Sequence, residues 1–503
     1  MDSIILNQSQ QNSIKKLDNF IHSLYEKLFI LKGSAGTGKT TVITHFLNNP
    51  KFNNYKIAFS ATTNKAVSVL EQMSPFKEDN SKYTFLTIHK LLKIRRKINK
   101  YGKEEFIMGN TTSLSIFDYD IIIIDECSML SNEIICSLQK LKNFNNKIIF
   151  VGDPAQLPPV NETSHIFNIK DIPSYELNEI MRYKGNIVKL ANNIRELVFN
   201  KEIKIKFKDY KCDTITINKK YEKWFNSYLV NLKEGLSNSN LDNLPICLTY
   251  TNRQTDKINL GVRKELFGDN IKRFMENEII IFNSYYYLNE NTTKYYTSQK
   301  AQVKTIDVTT IKPKYLGLCD ICNNNIEKDT MACGHRICES CINKKYSCKV
   351  CSIEQTISNT PNKIKDNFDK IFECFKDLEI KVWKLVLQNE DIVYIIHDIY
   401  EYNEMIETLR NKIIKFGTFL RKYKSYNKII ETTWNYLYES VIDIFADISY
   451  GYCITTHKSQ GSTFNNVYVD MNNIIFKNTN MEESYRCLYT AITRTSDKLD
   501  ILI

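Results

Sequence analysis

The chain has 503 residues, 43% hydrophobic and 25% charged. That balance excludes pervasive disorder, a collagen-like fibre and a small disulfide scaffold, and the length suits about three domains. No run of 18 or more uncharged apolar residues is present, so no membrane helix is expected. The opening MDSIILNQSQ turns polar too early for a secretory signal, so the protein is expected to be intracellular, in cytoplasm or nucleus. The abundance of Asn, Ile, Lys and Tyr fits an AT-rich genome, viral or protist. A formal net charge of +11 suits a polyanion such as nucleic acid, although surplus lysine can also serve solubility alone.

In chain order, a short apolar run at 27–32 ends in a Gly-rich turn, and a helical pattern follows at 39–48. A strand is predicted at 56–60 and a helix at 64–73. The segment 119–126, YDIIIIDE, reads as a strand buried on both faces with acids at its carboxyl end. A helix at 132–142 and a strand at 147–153 continue the alternation, which predicts a parallel sheet covered on both sides. The basic stretch 93–113 breaks the pattern and reads as a small hairpin laid on the surface of that domain. The alternation resumes at 245–265 and at 448–503. Between them, 277–312 and 378–398 carry alternating strands that could close a small β-barrel, and 400–445 has helical apolar spacing.

Gly33-Ser34-Ala35-Gly36-Thr37-Gly38-Lys39-Thr40 fits the phosphate-binding pattern G-x-x-x-x-G-K-[ST], after a strand and before a helix. Its glycines let backbone N–H groups turn toward phosphate oxygens, and the helix N-terminus adds positive potential. In this pattern Lys39 reaches the β- and γ-phosphates and the Thr40 hydroxyl ligates Mg²⁺. Asp125 and Glu126 end the isoleucine strand, where ligands bind in open α/β sheets. Asp125 is expected to hold Mg²⁺ through its water shell, and Glu126 to take a proton from the attacking water.

Seven of the 14 cysteines lie between Cys319 and Cys351 with C-x-x-C spacing, which points to metal rather than disulfides. Cys319, Cys322, Cys333, His335, Cys338, Cys341, Cys348 and Cys351 supply eight ligands, enough for two tetrahedral, structural Zn²⁺ ions. Metal binding would then supply the folding free energy of a segment too short for a core.

Taken together, GSAGTGKT, ATTNKAV (61–67), TIHKLL (87–92), IIIIDECSML (121–130) and VGDPAQLPPV (151–160) follow the order of superfamily 1 helicases. LNEIMR (177–182), TTHKSQGSTF (455–464) and LYTAITRTS (488–496) complete a set that most resembles the RecD-type, 5′-to-3′ branch. The resemblance covers 1–260 and 448–503. It implies two RecA-like α/β domains, 1–195 and 196–265 with 448–503, and an inserted barrel (266–313 and 376–398); the cysteine spacing adds a zinc finger (314–356) and the apolar spacing a helical segment (399–447). The resemblance implies that Gln10 reads adenine and that Gln156 senses the γ-phosphate. Arg182 and Arg494 would act as arginine fingers, the guanidinium fork matching charge that builds on the transferred phosphoryl. Gln460 and Gly461 would border the nucleotide, and Thr493 replaces the serine common in the last motif. Thr62, Thr63, Asn64, His89, Thr455, His457 and Lys458 would line a single-strand groove, since short polar side chains position phosphates without reading bases. The hairpin, with Arg95, Arg96 and Lys97, would be a strand-separating pin or simply a surface loop.

The cysteine order resembles a RING finger, in which Cys319, Cys322, Cys338 and Cys341 bind one zinc and Cys333, His335, Cys348 and Cys351 the other. Such a finger would dock a ubiquitin-conjugating enzyme or serve as a protein- or nucleic-acid-contact module. Ile321 matches the apolar contact of ligases, whereas 342–347 lacks the usual Trp and Ser352 stands where a basic residue is common. The sequence thus implies an ATP-dependent, Mg²⁺-using helicase or translocase on single-stranded nucleic acid, DNA favoured over RNA, with a nucleic-acid-anchored ubiquitin ligase as the alternative.

Overall fold

The computed structural model describes residues 6–503 except 77–81, 109–113, 141–144, 160–161, 163–165, 180–184, 201–204, 238–240, 290–291, 313–328, 331–335, 338–374, 376–377 and 422–425. Residues 1–94, 108–270 and 451–503 form one unit, and 95–107 and 271–450 form another.

From the amino end the chain makes α1 (Gln8–His22), β1 (Leu28–Gly33), α2 (Lys39–Leu47), β2 (Ile57–Ala61), α3 (Asn64–Met73), β3 (Tyr83–Thr87) and the single turn α4 (Ile88–Leu91). It then forms the hairpin β4 (Arg95–Ile98) and β5 (Glu104–Ile107), which groups with the second unit. Back in the first unit come β6 (Ile121–Ile124), α5 (Asn132–Lys140), β7 (Lys147–Gly152), β8 (Ser174–Leu177) and α6 (Asn186–Phe199). The sheet order is β3-β2-β6-β7-β1-β8, with every pairing parallel. Side chains of a strand alternate between faces. Accordingly Ile30, Ala58, Ile122, Ile124, Ile148 and Phe150 enter one apolar core, and Leu31, Phe59, Ile121, Ile123, Ile149 and Val151 enter the opposite one with α1 and α2. The unbroken IIII of β6 is what burial on both faces demands.

The first unit continues with β9 (Ile215–Asn218), α7 (Tyr221–Ser237), β10 (Ile246–Thr249) and α8 (Asn252–Phe267). The second unit then supplies β11 (Ile279–Phe282), β12 (Tyr286–Asn289), β13 (Thr292–Tyr295), β14 (Lys300–Ile311), β15 (Asp329–Thr330), β16 (Arg336–Ile337), β17 (Ile380–Leu387), β18 (Ile392–Ile396), α9 (Ile399–Leu420), α10 (Tyr426–Leu437) and β19 (Ile448–Tyr450). The chain closes the first unit with β20 (Cys453–Thr455), α11 (Thr456–Ser459), β21 (Phe464–Asp470), α12 (Met471–Phe476), α13 (Met481–Ile492) and β22 (Thr495–Leu502). These complete a second parallel sheet, ordered β20-β10-β21-β22-β9. Its centre joins strands more than 200 residues apart, as in the register Leu248↔Val469.

In the second unit the inserted strands pair antiparallel in the order β18-β17-β14-β11-β19. This differs from the expected closed barrel. Among the described residues the two edges, β18 and β19, form no ladder, and a single hydrogen bond from Ala446 N–H to the Tyr394 carbonyl (2.9 Å) links their neighbourhoods. The hairpin also differs from a loop lying on the first domain. Ile98, 2% exposed, enters a core built from Ile413, Phe416, Leu420, Ile430, Trp434 and Leu437 of α9 and α10. Arg96 pairs with Asp443 at 2.8 Å and Lys97 with Glu431 at 3.1 Å. Trp434 Nε1–H donates to the Lys100 carbonyl (3.4 Å) and the Tyr438 hydroxyl to the Gly102 carbonyl (3.1 Å). These partners lie more than 300 residues away in sequence, beyond the reach of local patterning.

The eight proposed zinc ligands lie outside the described residues. Within that segment β15 and β16 pair in the register Thr330↔Arg336. Among the described residues no cluster of His, Cys, Asp or Glu is arranged to hold a metal, and no helix is long and apolar enough to cross a membrane.

Candidate nucleotide site

Three neighbouring strands, β6, β7 and β1, deliver the site from their carboxyl ends. Strand β1 runs into the phosphate loop, and Gly36 (φ 83°) and Gly38 (φ 77°) adopt the left-handed backbone its turns require. At Gly38 a side chain is excluded twice, by that φ and because a Cβ would lie 2.8 Å from Gln10 Nε2. The Lys39 ammonium folds back onto the loop, donating to the carbonyls of Gly33 (2.8 Å) and Ser34 (3.0 Å). Thr37 donates from its hydroxyl to the Ser34 carbonyl at 3.0 Å.

Gln10 is nearly buried and belongs to a capping box that starts α1: its N–H donates to Asn7 Oδ1 and its Oε1 accepts from Asn7 N–H. Its Nε2 donates to the Thr37 carbonyl at 3.2 Å. The adenine-reading candidate is thus tied to the back of the phosphate loop.

At the end of β6, Thr40 Oγ1 lies 3.5 Å from Asp125 Oδ2. Asp125 N–H donates to the Ser60 carbonyl, and Asp125 Oδ1 accepts from Glu126 N–H at 2.8 Å. Burial, then the neighbouring Glu126 charge, raises the Asp125 pKa to about 6, against the opposing pull of that N–H, Lys39 and Thr40. Glu126 has φ 50° and ψ 40°, a left-handed conformation that a non-glycine residue holds at a cost. A hydroxyl and a carboxylate this close suit a hard cation such as Mg²⁺, which takes oxygen ligands.

After β7, Gln156 is 4% exposed and its Oε1 has no hydrogen-bond partner. An orphaned buried acceptor is costly and fits a side chain waiting for a donor. On the second sheet, Gln460 donates from Nε2 to the Leu157 carbonyl at 3.1 Å, and Gly461 has φ 74°. Arg494 is 5% exposed and donates to the carbonyls of Thr490 (3.1 Å) and Ser462 (3.2 Å) and to the Thr493 hydroxyl (3.4 Å). Its guanidinium is therefore engaged within its own lobe rather than extended to the phosphate loop. Arg182 lies outside the described residues.

The groove candidates sit at helix starts. Thr63 caps α3, accepting from Ala66 N–H at 3.2 Å, and Asn64 opens that helix. The Thr62 hydroxyl lies 3.8 Å from Met129 Sδ. His89 is on α4, and burial lowers its pKa. Thr455 precedes α11, which carries His457 and Lys458. Burial lowers the His457 pKa although Glu483 lies 3.9 Å away.

Sequence reasoning gave no role to Asp153, Arg195, Arg486 or Tyr489. The Asp153 side chain is fully buried between the two sheets' loops, accepting from Ala35 N–H (3.1 Å), Ala155 N–H (3.0 Å) and the Tyr489 hydroxyl (2.6 Å). Arg195 stands 3.6 Å from it and pairs with Glu176 at 2.6 Å. Asp153 and Tyr489 were visible inside GDPAQ and LYTAITRTS, but nothing local says that these two motifs touch.

A family model described as an AAA domain matches residues 18–162, and one described as the UvrD-like helicase C-terminal domain matches 450–502. The chain is 31% identical to the "uncharacterized protein R530" of Acanthamoeba polyphaga mimivirus, over 99% of this chain and 100% of that one. It is 26% identical to RecBCD enzyme subunit RecD of Buchnera aphidicola subsp. Schizaphis graminum, covering 96% of this chain and 71% of the relative. Against the ATP-dependent DNA helicase dda of Enterobacteria phage T4 the identity is 23%, with 92% of each covered. Among solved structures, a Pif1 helicase from Bacteroides with ADP-AlF3 and ssDNA aligns at TM-score 0.45 and 16% identity, over 99% of this chain and 92% of that one. The chain belongs to the family of the mimivirus protein, and its matched models and named relatives are those of superfamily 1 helicases of the UvrD and RecD kind. It is an ATP hydrolase of the helicase type.

Proposed function

We propose that the chain is a DNA helicase that moves 5′-to-3′ along a single strand and opens the duplex ahead of it. The observation that carries this is the junction of the two parallel sheets: the loop after β7 holds the γ-phosphate sensor candidate Gln156, and the second sheet's Gln460 reaches the carbonyl of the next residue, Leu157. A motor needs that link, because hydrolysis at one lobe must move the other. The relative named as an ATP-dependent DNA helicase of phage T4 supports DNA as the track.

In this reading ATP lies on the phosphate loop with its base toward Gln10. Lys39 leaves the Gly33 and Ser34 carbonyls for the β- and γ-phosphates. Thr40 and Asp125 would hold Mg²⁺, which neutralises phosphate charge when bound. Glu126 orients the attacking water and accepts its proton. Arg494 and Arg182 would turn to the γ-phosphate as the lobes close, which requires Arg494 to exchange its carbonyl acceptors for phosphate oxygens. Thr62, Thr63, Asn64, His89, Thr455, His457 and Lys458 are proposed to carry the strand on its phosphates. The buttressed hairpin 95–107 is proposed to split the duplex.

The spacing of the eight Cys and His ligands supports two structural zinc ions. Nothing in the comparisons supports the ubiquitin-ligase alternative. The test is strand separation on tailed DNA and RNA duplexes of both polarities. We expect unwinding of 5′-tailed DNA and none with Lys39→Ala. Nucleic-acid-stimulated ATP hydrolysis that survives Lys39→Ala would refute the site.

A further inference from the structure

A phosphate loop binds its ligand through inward-turned N–H groups. One of them points elsewhere here. Ala35 N–H donates both to Asp153 Oδ2 (3.1 Å) and to the Tyr489 hydroxyl oxygen (3.2 Å), while that hydroxyl donates to the same carboxylate oxygen at 2.6 Å. The three groups form a closed, buried triangle. Ala35 belongs to the phosphate loop, Asp153 to the loop that carries Gln156, and Tyr489 to α13 on the second sheet. Tyr489 is 1% exposed and the Asp153 side chain 0%, so water does not substitute for either.

Arg486, one turn earlier on the same face of α13, reinforces the contact. Its guanidinium donates to the carbonyls of Pro154 and Gln156 and is itself held by Glu482 at 3.0 Å. The side chains at 486 and 489 therefore grasp the sensor loop at Asp153, Pro154 and Gln156. Arg494, the finger candidate from the same motif, is meanwhile bonded inside its own lobe.

We infer that Tyr489 is a positioning residue that couples the two lobes, its hydroxyl fixing the phosphate loop and the γ-phosphate sensor loop to the second lobe. This rests on the motor reading above. A hydroxyl bonded to a buried carboxylate is a strong, directional and breakable link, so lobe movement is felt at Ala35 and Gln156 at once. A loss limited to this link lowers turnover driven by the strand, not ATP affinity.

Tyr489→Phe keeps the ring and removes only the hydroxyl. ATP hydrolysis is measured with and without single-stranded DNA over a range of ATP concentrations, together with the thermal midpoint. We expect stimulation by the strand to fall about 10- to 100-fold, the range set by one hydrogen bond to a charged group. KM for ATP should stay within about twofold on the same reasoning. Asp153→Asn, which weakens the same link from the other lobe, should give a similar loss, and the double variant no further loss. Full stimulation in both single variants overturns the inference, as does a parallel rise in KM with a lowered midpoint, which marks simple loss of packing. A wild-type chain with no strand-stimulated hydrolysis would instead overturn the motor reading itself.

Discussion

Gly102 closes the hairpin with φ +74°, and a Cβ there would meet three ring carbons of Trp434 at 2.7–2.8 Å. Gly102→Ala therefore incurs two separate penalties. The left-handed backbone costs an L-residue about 1–2 kcal/mol. The overlap cannot be relieved cheaply, because Trp434 is 1% exposed and sits in a closed core with Ile98, Phe416 and Leu437. Overpacking of this kind costs about 1–3 kcal/mol more. The total, about 2–5 kcal/mol, exceeds what the partly exposed Arg96–Asp443 and Lys97–Glu431 pairs can restore, since such pairs contribute about 1 kcal/mol or less. The hairpin should detach from α9 and α10 while the nucleotide site, in the other unit, keeps its geometry. We expect strand-stimulated ATP hydrolysis within about twofold of wild type and duplex unwinding reduced at least about tenfold, matching at least 1.4 kcal/mol. Trp434 emission should shift to longer wavelength as its ring meets water. Unwinding at the wild-type rate by a variant whose tryptophan emission has shifted would refute the pin. Unchanged emission with an unchanged thermal midpoint would refute the packing argument.

Glu126→Gln should retain ATP binding, followed with a fluorescent nucleotide, while turnover falls about 10²- to 10⁴-fold, the usual contribution of a positioned base. Lys147 is buried and donates to the carbonyls of Phe20 (3.0 Å), Glu26 (2.6 Å) and Ser23, closing the carboxyl end of α1. Lys147→Met should therefore lower stability by about 1–3 kcal/mol, read in a urea titration, because the part-buried Ser23 and Glu26 carbonyls lose this donor and the Phe20 carbonyl keeps only Ser23 N–H. Asp500 has its pKa raised to about 6 by burial, with Asn218 and Lys223 pulling the other way. The folded state then holds more protons than the unfolded one between about 4 and 6, so this group's stabilisation is full below that window and lost as pH rises through 6. Asp500→Asn should raise the thermal midpoint at pH 7.5, by at most the equivalent of about 3 kcal/mol, with the gain vanishing near pH 4; an equal gain at both pH values refutes it.

Much of the first sheet was legible in the residues. The IIII of β6 and the KIIFVG of β7 are buried on both faces, and such strands announce themselves by composition. The phosphate loop was equally plain, because its glycines answer to local backbone geometry. Helix α3 coincides with its predicted span, 64–73, for a similar reason: Thr63 caps it locally. What escaped depends on contacts distant in sequence. Strands β8 and β9 are short and mixed in polarity, and only pairing to β1 and β22 makes them strands. Asp153 and Tyr489 are 336 residues apart, so their hydrogen bond could not be inferred from either motif. The hairpin was seen, but its packing partners on α10 were not, since apolar spacing shows that a face is buried without naming what covers it.

Strands β14 and β17 run as one long ribbon whose last pair is Ile311↔Ile380. The chain therefore leaves and re-enters the sheet at points about 5 Å apart, the spacing of directly opposed residues. A sequence of any length can be hung from such a doorway without strain on the ribbon, and closing a loop grows only slowly more costly with length. The cysteine-rich stretch occupies that doorway. It can be exchanged, trimmed to a tight turn or replaced by another module while the ribbon's own pairing is left as it was, which makes the ribbon a place where this protein's lineage could add a new specificity in a single insertion.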